Sequence, residues 1–208
     1  MAVVFALGAL VSAAEPDDPA AAIARELRER GVEVPDDWAA AYAETHVDPP
    51  DGAAVPHHAH VARALASRGV PAPNNAARRA LVAAFAPDAA ARDGALEAVL
   101  RAREHGPVAL LSDTTVPEYA RRALLSAGLR WRPDTDREPL FDAVVTGVSC
   151  GWLAPHPEAF AAVAEALGVE GTALTHVARD PEARPGVEAV GGSFVDARAR
   201  SLGDIEFR

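Results

Sequence analysis

The stretch from Phe141 to Val169, FDAVVTGVSCGWLAPHPEAFAAVAEALGV, decides the fold. Its short apolar run, Ala143 to Thr146, has the length and hydrophobicity of a buried strand. A helix is predicted to start at Pro157, because proline is favoured at the first helical position and the apolar residues after it recur at helical spacing. A strand followed by an amphipathic helix is typical of a parallel α/β sheet.

Further apolar runs alternate with helical patterns on both sides of this stretch. We predict strands at Ala2 to Leu7, Val108 to Leu111, Ala173 to Val177 and Ser193 to Val195. Helices are predicted before and after the second of these strands, ending at Gly106 and Gly128. Short apolar runs between helices indicate a parallel sheet that helices cover on both faces. The predicted class is therefore α/β, with a Rossmannoid core.

The chain from Glu15 to Asp88 has only helical patterns. Four short helices are expected there, marked by Ile23 and Leu27, by Trp38 and Tyr42, by Val61 and Leu65, and by Leu81, Val82 and Phe85. We therefore predict a core domain from residues 1–14 and 89–208, with a small helical cap, residues 15–88, inserted after the first strand.

The first fourteen residues, Met1 to Ala14, are apolar and end in small residues, as the core of a signal peptide does. They lack the positive charge with which such a signal begins, and they are too short to span a bilayer. We favour a buried first strand. No other stretch is predicted to cross a membrane.

Composition narrows the candidate functions. The formal net charge is -10, and the chain has no lysine. Such a surface repels nucleic acid and anionic membranes, so we expect neither as a partner. A single cysteine, Cys150, excludes an internal disulfide and fits a reducing compartment, so we predict a cytoplasmic protein. Acidic composition without lysine is also typical of halophilic proteins.

Ligands of open parallel sheets bind beyond the carboxyl ends of the strands. The segments predicted to lie there are Ala6-Leu7-Gly8, Ser112-Asp113, Gly151 to Pro155, and Ala178-Arg179-Asp180. These segments resemble, in order and spacing, the four motifs of the haloacid dehalogenase (HAD) hydrolase superfamily. The resemblance runs from Ala2 to about Asp196. The four segments that carry it are VVFALGALV, VALLSDTTVPEYARRALLSAGL, the stretch from Phe141 to Val169, and THVARDPEARPG.

The resemblance implies a specific role for the characteristic residues of each motif. In that superfamily the first strand ends in Asp-x-Asp, in which one aspartate attacks phosphorus and the other acts as general acid. A Ser or Thr and a Lys hold the phosphoryl oxygens. Acidic residues of the fourth motif hold Mg²⁺, which prefers carboxylate oxygens.

This chain departs from that pattern at four positions. Ala6 stands at the position of the nucleophile and Gly8 at that of the general acid, while Ala154 replaces the lysine and Arg179 the first acid of the fourth motif. Ser112 alone matches its role. Loss of a nucleophile costs several orders of magnitude in rate, and loss of a general acid about 10²–10⁴-fold. We predict no catalytic residues and the loss of the ancestral Mg²⁺ site.

Two hypotheses follow. The first is a non-catalytic protein that binds phosphate or another small anion through Ser112, Asp113 and Arg179, or that binds a protein partner. The alternative is an active hydrolase with a rearranged site, in which Ser112, Asp113 and Asp180 take part. For Arg179, simple pairing with Asp180 or with another nearby acid is favoured over anion binding.

The other candidate residues are predicted to have structural or solvent-exposed roles. His57, His58 and His60 could bind a metal, but we predict solvated histidines in a first helical turn. His176 is predicted to be a hydrogen-bonded core residue. Cys150 is predicted to be buried and structural, because it has no identifiable base.

Overall fold

The structure, a computed structural model, describes residues 1–130, 139–199 and 201–207. Five parallel strands form one sheet in the order β5-β4-β1-β6-β7, which confirms the predicted α/β class. In chain order the strands are β1 Ala2–Ala6, β2 Val11–Ala13, β3 Ala89–Ala91, β4 Val108–Ser112, β5 Ala143–Thr146, β6 Leu174–Ala178 and β7 Ser193–Asp196. The α-helices are α1 Leu7–Leu10, α2 Pro19–Glu29, α3 Trp38–Ala43, α4 His57–Ala66, α5 Ala76–Ala84, α6 Ala95–His105, α7 Tyr119–Ser126, α8 Gly147–Cys150, α9 Pro157–Leu167 and α10 Arg184–Ala189.

The central strand β1 is buried on both faces, which is why it has no polar alternation. Val3 and Phe5 belong to one hydrophobic cluster, which extends into the helices inserted after β1. Ala2 and Val4 belong to a second cluster, on the opposite face, with Phe160 of α9. Full burial of a large apolar side chain contributes about 1.5–3 kcal/mol, so both layers stabilise the sheet.

The four predicted cap helices are present as α2 to α5. They lie between β2 and β3, which pair antiparallel with Val11 opposite Ala91. Asp18 caps the first of these helices by accepting a hydrogen bond from the Ala21 N–H at 2.9 Å. The exact domain boundaries, at residues 14/15 and 88/89, stay a prediction.

Backbone hydrogen bonds fasten the segment before α4 to the loop after β5. The Ala54 N–H donates to the Gly151 carbonyl at 2.8 Å, and the Leu153 N–H donates to the Gly52 carbonyl at 2.9 Å. This short antiparallel bridge sets the position of the cap helices over the carboxyl ends of the strands.

The apolar N-terminal segment forms β1, α1 and β2, in agreement with the prediction of a buried first strand. Among the described residues, no helix has the length and hydrophobicity needed to cross a bilayer.

Candidate functional site

Two hollows lie at the carboxyl ends of β1, β4 and β6. The core cavity, of about 390 Å³, lies between those ends, the loop at Ala154 and the residues after β6. The cap-facing cleft, of about 550 Å³, lies between the ends of β1 and β4 and the cap helices, without β6. Both are lined by Ala6, Gly8, Leu111 and Asp113, so they meet at one wall.

The end of β1 presents a methyl group and a bare backbone to the core cavity. Ala6 is the last residue of the strand, and a Cβ atom built on Gly8 would meet no atom within 4 Å. The Arg92 guanidinium lies at this point, because its Nε donates a hydrogen bond to the Gly8 carbonyl oxygen at 2.9 Å. A cationic side chain therefore lies where the resemblance places two aspartates.

Arg92 was missed by the sequence interpretation. It directly follows β3, and its backbone N–H donates to the Leu10 carbonyl at 2.8 Å. The β2–β3 pair thus carries it from the end of the cap back to the end of β1. Nothing in its sequence neighbourhood marks it, since the pairing that positions it joins two three-residue strands, VSA and AAA, that carry no periodic signal.

Asp113 connects the loop after β4 to the loop after β5 and α8. Its Oδ1 accepts a hydrogen bond from the Ala154 N–H at 2.7 Å. The residue keeps an exposed surface toward the two hollows, yet surrounding protein atoms desolvate its carboxyl group. That desolvation, together with the charge of Asp180, raises the pKa of Asp113 above its usual range, while the Ala154 N–H acts in the opposite direction.

Ser112 and Arg179, the other two predicted anion-binding residues, do not line the same hollow. Ser112 lines the cap-facing cleft; it is only 6% exposed, and its Oγ accepts a long 3.4 Å hydrogen bond from the Thr114 N–H. Arg179 lines the core cavity. The structure brings Asp113 together with each of them separately.

The loop after β6 contributes three charged side chains to the core cavity: Arg179, Asp180 and Glu182. The Arg179 guanidinium donates a long hydrogen bond to the Ala197 carbonyl at 3.4 Å. Asp180 Oδ1 accepts from the Glu182 N–H at 3.0 Å. The favoured pairing of Arg179 with Asp180 or a nearby acid is wrong: within the described part of the chain Arg179 forms no ion pair, and the side chains of Arg179 and Asp180 are both directed to the backbone.

The donor set at this site does not fit a divalent cation held in the manner that the resemblance implies. Within residues 1–130, 139–199 and 201–207, no group of three or more His, Cys, Asp or Glu side chains is arranged to hold a metal ion. Magnesium requires several oxygen ligands, and the positive charge of Arg92, hydrogen-bonded to the Gly8 carbonyl, repels a second cation there.

The cap histidines are not the solvated side chains that we predicted. The Tyr42 hydroxyl of α3 and the His57 Nε2 are 2.6 Å apart, and their rings stack at 5.7 Å. The His60 Nε2 lies 2.7 Å from the Tyr42 carbonyl. Burial, with a smaller effect of His60, lowers the pKa of His57 to about 4. The prediction failed because α3 packs its tyrosine against the first turn of α4.

The remaining candidates are structural. His176 is 1% exposed and its Nδ1 lies 3.0 Å from the Val4 carbonyl, which confirms a hydrogen-bonded core residue. Burial lowers its pKa to about 4. Cys150 is half-buried rather than fully buried, and its thiol donates to the Trp152 carbonyl at 3.2 Å.

Comparison with known proteins finds similarity in structure alone. No protein-family model matches the chain, and no curated protein matches its sequence. The HAD family enzyme BT-2542 from Bacteroides thetaiotaomicron, in complex with magnesium and inorganic phosphate, is 14% identical with a TM-score of 0.56, over 94% of this chain and 92% of that one. An aspartate-to-alanine variant of that enzyme, also with magnesium and inorganic phosphate, is 16% identical over the same shares, with a TM-score of 0.54.

A third similar structure is CbbY from Rhodobacter sphaeroides in complex with phosphate. It is 18% identical with a TM-score of 0.56, over 93% of this chain and 84% of that one. The similarity in each case covers more than nine tenths of this chain. Identities this low establish the fold alone. The chain thus has the fold of the haloacid dehalogenase superfamily.

Proposed function

We propose that this chain is a HAD-fold protein that has lost phosphate-ester hydrolysis and binds a small anion in the core cavity without a metal. The observation that carries the proposal is the hydrogen bond from Arg92 Nε to the Gly8 carbonyl. It puts a fixed positive charge at the end of β1, beside the methyl group of Ala6. Neither Ala6 nor Gly8 can attack phosphorus or donate a proton.

A second cation supports anion binding at the same cavity. Arg179 is exposed at its rim, and among the described residues its side chain donates only one hydrogen bond, a long one to the Ala197 carbonyl at 3.4 Å. A guanidinium offers several donors in a planar fork that suits phosphate and carboxylate oxygens. The aspartate-to-alanine variant of BT-2542 is in complex with magnesium and inorganic phosphate, so a protein of this fold that lacks one aspartate still holds the anion, there together with a metal.

Calorimetric titration with inorganic phosphate, in the presence of a chelator, tests this function. We expect binding by the wild-type chain and weaker binding by Arg179→Ala. Arg25→Ala serves as the matched control, because Arg25 is exposed on α2, away from both hollows. Equal affinities for the wild type and Arg179→Ala would remove Arg179 from the site, and no binding at all would overturn the proposed function.

A rearranged hydrolase is the second candidate, and the environment of Asp113 favours it. A carboxyl group with a raised pKa, next to the carboxylate of Asp180, is a familiar arrangement for acid-base chemistry. The candidate is weaker because neither residue is paired with a nucleophile: Asp113 accepts from Ala154 and Asp180 from Glu182. A screen of phosphate esters at high salt, with Asp113→Ala as control, separates the two candidates.

A further inference from the structure

The core cavity contains charges of both signs that do not neutralise one another. Arg92 and Arg179 contribute guanidinium groups, whereas Asp113, Asp180 and Glu182 contribute carboxylates. Among the residues that the structure describes, none of these five side chains forms an ion pair; the hydrogen bonds that Arg92, Arg179, Asp113 and Asp180 make are all to backbone atoms. Unpaired charges of opposite sign around one hollow are complementary to a ligand that carries both signs.

Arg92 defines the positive end of this arrangement. Its Nε is occupied by the Gly8 carbonyl, which holds the guanidinium at the end of β1. Its two terminal nitrogens make no hydrogen bond to any described residue. Those nitrogens can therefore donate to the two oxygens of one carboxylate or phosphate, the geometry in which arginine binds anions most strongly.

Asp113 and Asp180 define the negative end. Asp113 is held in place by the Ala154 N–H, and Asp180 by the Glu182 N–H, so each uses one oxygen for the backbone and keeps the other. The two carboxylates repel each other, and this contributes to the raised pKa of Asp113. A cationic group between them would relieve both the repulsion and the cost of desolvation.

We propose that the core cavity binds a small zwitterion, with its anionic group on Arg92 and its ammonium group between Asp113 and Asp180. The proposal rests on the proposed function, because the anionic group occupies the same cavity. It adds the chemical class of the ligand, a compact molecule with both charges. A hollow of about 390 Å³ is within the usual size range for such ligands.

Three matched probes test the proposal on the full chain, with a chelator and in a buffer without phosphate. They are 2-aminoethyl phosphate, which has both charges, ethyl phosphate, which lacks the ammonium, and ethylamine, which lacks the phosphate. We expect 2-aminoethyl phosphate to bind at least tenfold more tightly than ethyl phosphate, and ethylamine not to bind measurably. Arg92→Gln should weaken both phosphates at least tenfold.

The carboxylate variants locate the ammonium group. Asp113→Asn should remove most of the preference for 2-aminoethyl phosphate, while ethyl phosphate binds as tightly as before or more tightly. Asp180→Asn provides the same test if the first variant does not fold, as judged by circular dichroism. Persistence of the tenfold preference in a folded variant would overturn the proposed orientation.

The outcomes separate this inference from the function on which it rests. Equal binding of the two phosphates by the wild type would overturn the zwitterion and leave the anion site standing. Ethylamine binding as tightly as 2-aminoethyl phosphate would show a cation site and also overturn the inference. If neither 2-aminoethyl phosphate nor ethyl phosphate binds, the proposed function itself is overturned.

Discussion

The Asp113 carboxylate accepts a hydrogen bond from the Ala154 N–H at 2.7 Å, across 41 residues of sequence. In this way the loop after β4 is joined to the loop after β5 by a side chain whose pKa is raised. The raised pKa comes first from desolvation and then from the charge of Asp180. At neutral pH the ionised carboxylate of Asp113 therefore lowers the stability of the folded protein.

Replacing this carboxylate by an amide should stabilise the protein at neutral pH. Because the pKa of Asp113 is higher in the folded than in the unfolded chain, the folded state binds more protons, and stability falls as pH rises from the ordinary value toward the raised one. Asp113→Asn keeps an oxygen for the Ala154 N–H and removes that penalty. We expect a higher melting temperature at pH 7 and a smaller difference near pH 3.5.

Thermal melts of the wild type and Asp113→Asn at both pH values measure the effect. Asp48→Asn is the control, since Asp48 is exposed and far from the strand ends in sequence. A lower melting temperature for Asp113→Asn at pH 7 would mean that the charge of Asp113 stabilises the fold, contrary to this account.

Acid should destabilise the fold through two histidines. The pKa values of His57 and His176 are lowered to about 4, whereas an unfolded histidine titrates near 6.5. Between those values the unfolded chain binds protons that the folded chain does not, so stability is full above pH 6.5 and is lost as pH falls toward 4. The buried His176 accounts for at most about 2 kcal/mol between pH 7 and pH 5, and the half-buried His57 for less, because solvent screens its charge.

Urea unfolding at pH 7 and pH 5 checks this dependence. His57→Gln should lose less stability on acidification than the wild type. His105→Gln, in which an exposed histidine is removed, should behave as the wild type does. An unchanged loss in His57→Gln would show that His57 takes up its proton in the folded state.

Two glycines should respond oppositely to alanine. A Cβ atom on Gly186 would lie 1.8 Å from the Pro155 carbonyl oxygen, and both are backbone positions that cannot easily yield. We expect Gly186→Ala to destabilise the protein by about 3 kcal/mol, the upper end of ordinary overpacking. Gly8→Ala should be neutral or stabilising, because the space is open and alanine favours helices. Chemical denaturation of both variants compares them directly.

Introducing aspartates at the ends of β1 and β6 should create a cation site. Phe5 pairs with Val177, so Ala6 and Arg179 lie at neighbouring ends of β1 and β6. Ala6→Asp with Arg179→Asp should therefore bind Mg²⁺, measured by calorimetry, whereas neither single variant should do so. Binding of Mg²⁺ by the wild-type chain at the same strength would contradict the predicted loss of the site.

Most of the fold could be predicted because the strands of its main sheet are short apolar runs that alternate with helix signals. The strand at Ala143 to Thr146 agrees in both ends, and the helix that begins at Pro157 starts as expected. The pair β2–β3 was missed, since two three-residue strands, one of them only alanine, carry no periodic signal. Their pairing depends on contacts between residues about eighty positions apart.

The candidate site was less predictable for the same reason. The ends of β1, β4 and β6 follow from the strand assignment, and this placed Asp113 and Arg179 at one cavity. Arg92 reaches that cavity through the β2–β3 pair, and His57 is half-buried because Tyr42 packs on it from another helix. Such contacts between distant segments leave no pattern in the local sequence.

Hydrolysis of a phosphate ester such as para-nitrophenyl phosphate, with and without Mg²⁺ at high salt, tests the central claim most directly. The account predicts that the wild-type chain gives no Mg²⁺-dependent turnover above that of Asp113→Ala. Turnover that depends on Mg²⁺ and is abolished by Asp113→Ala would contradict the account. It would show that the protein catalyses hydrolysis although position 6 is alanine and not aspartate.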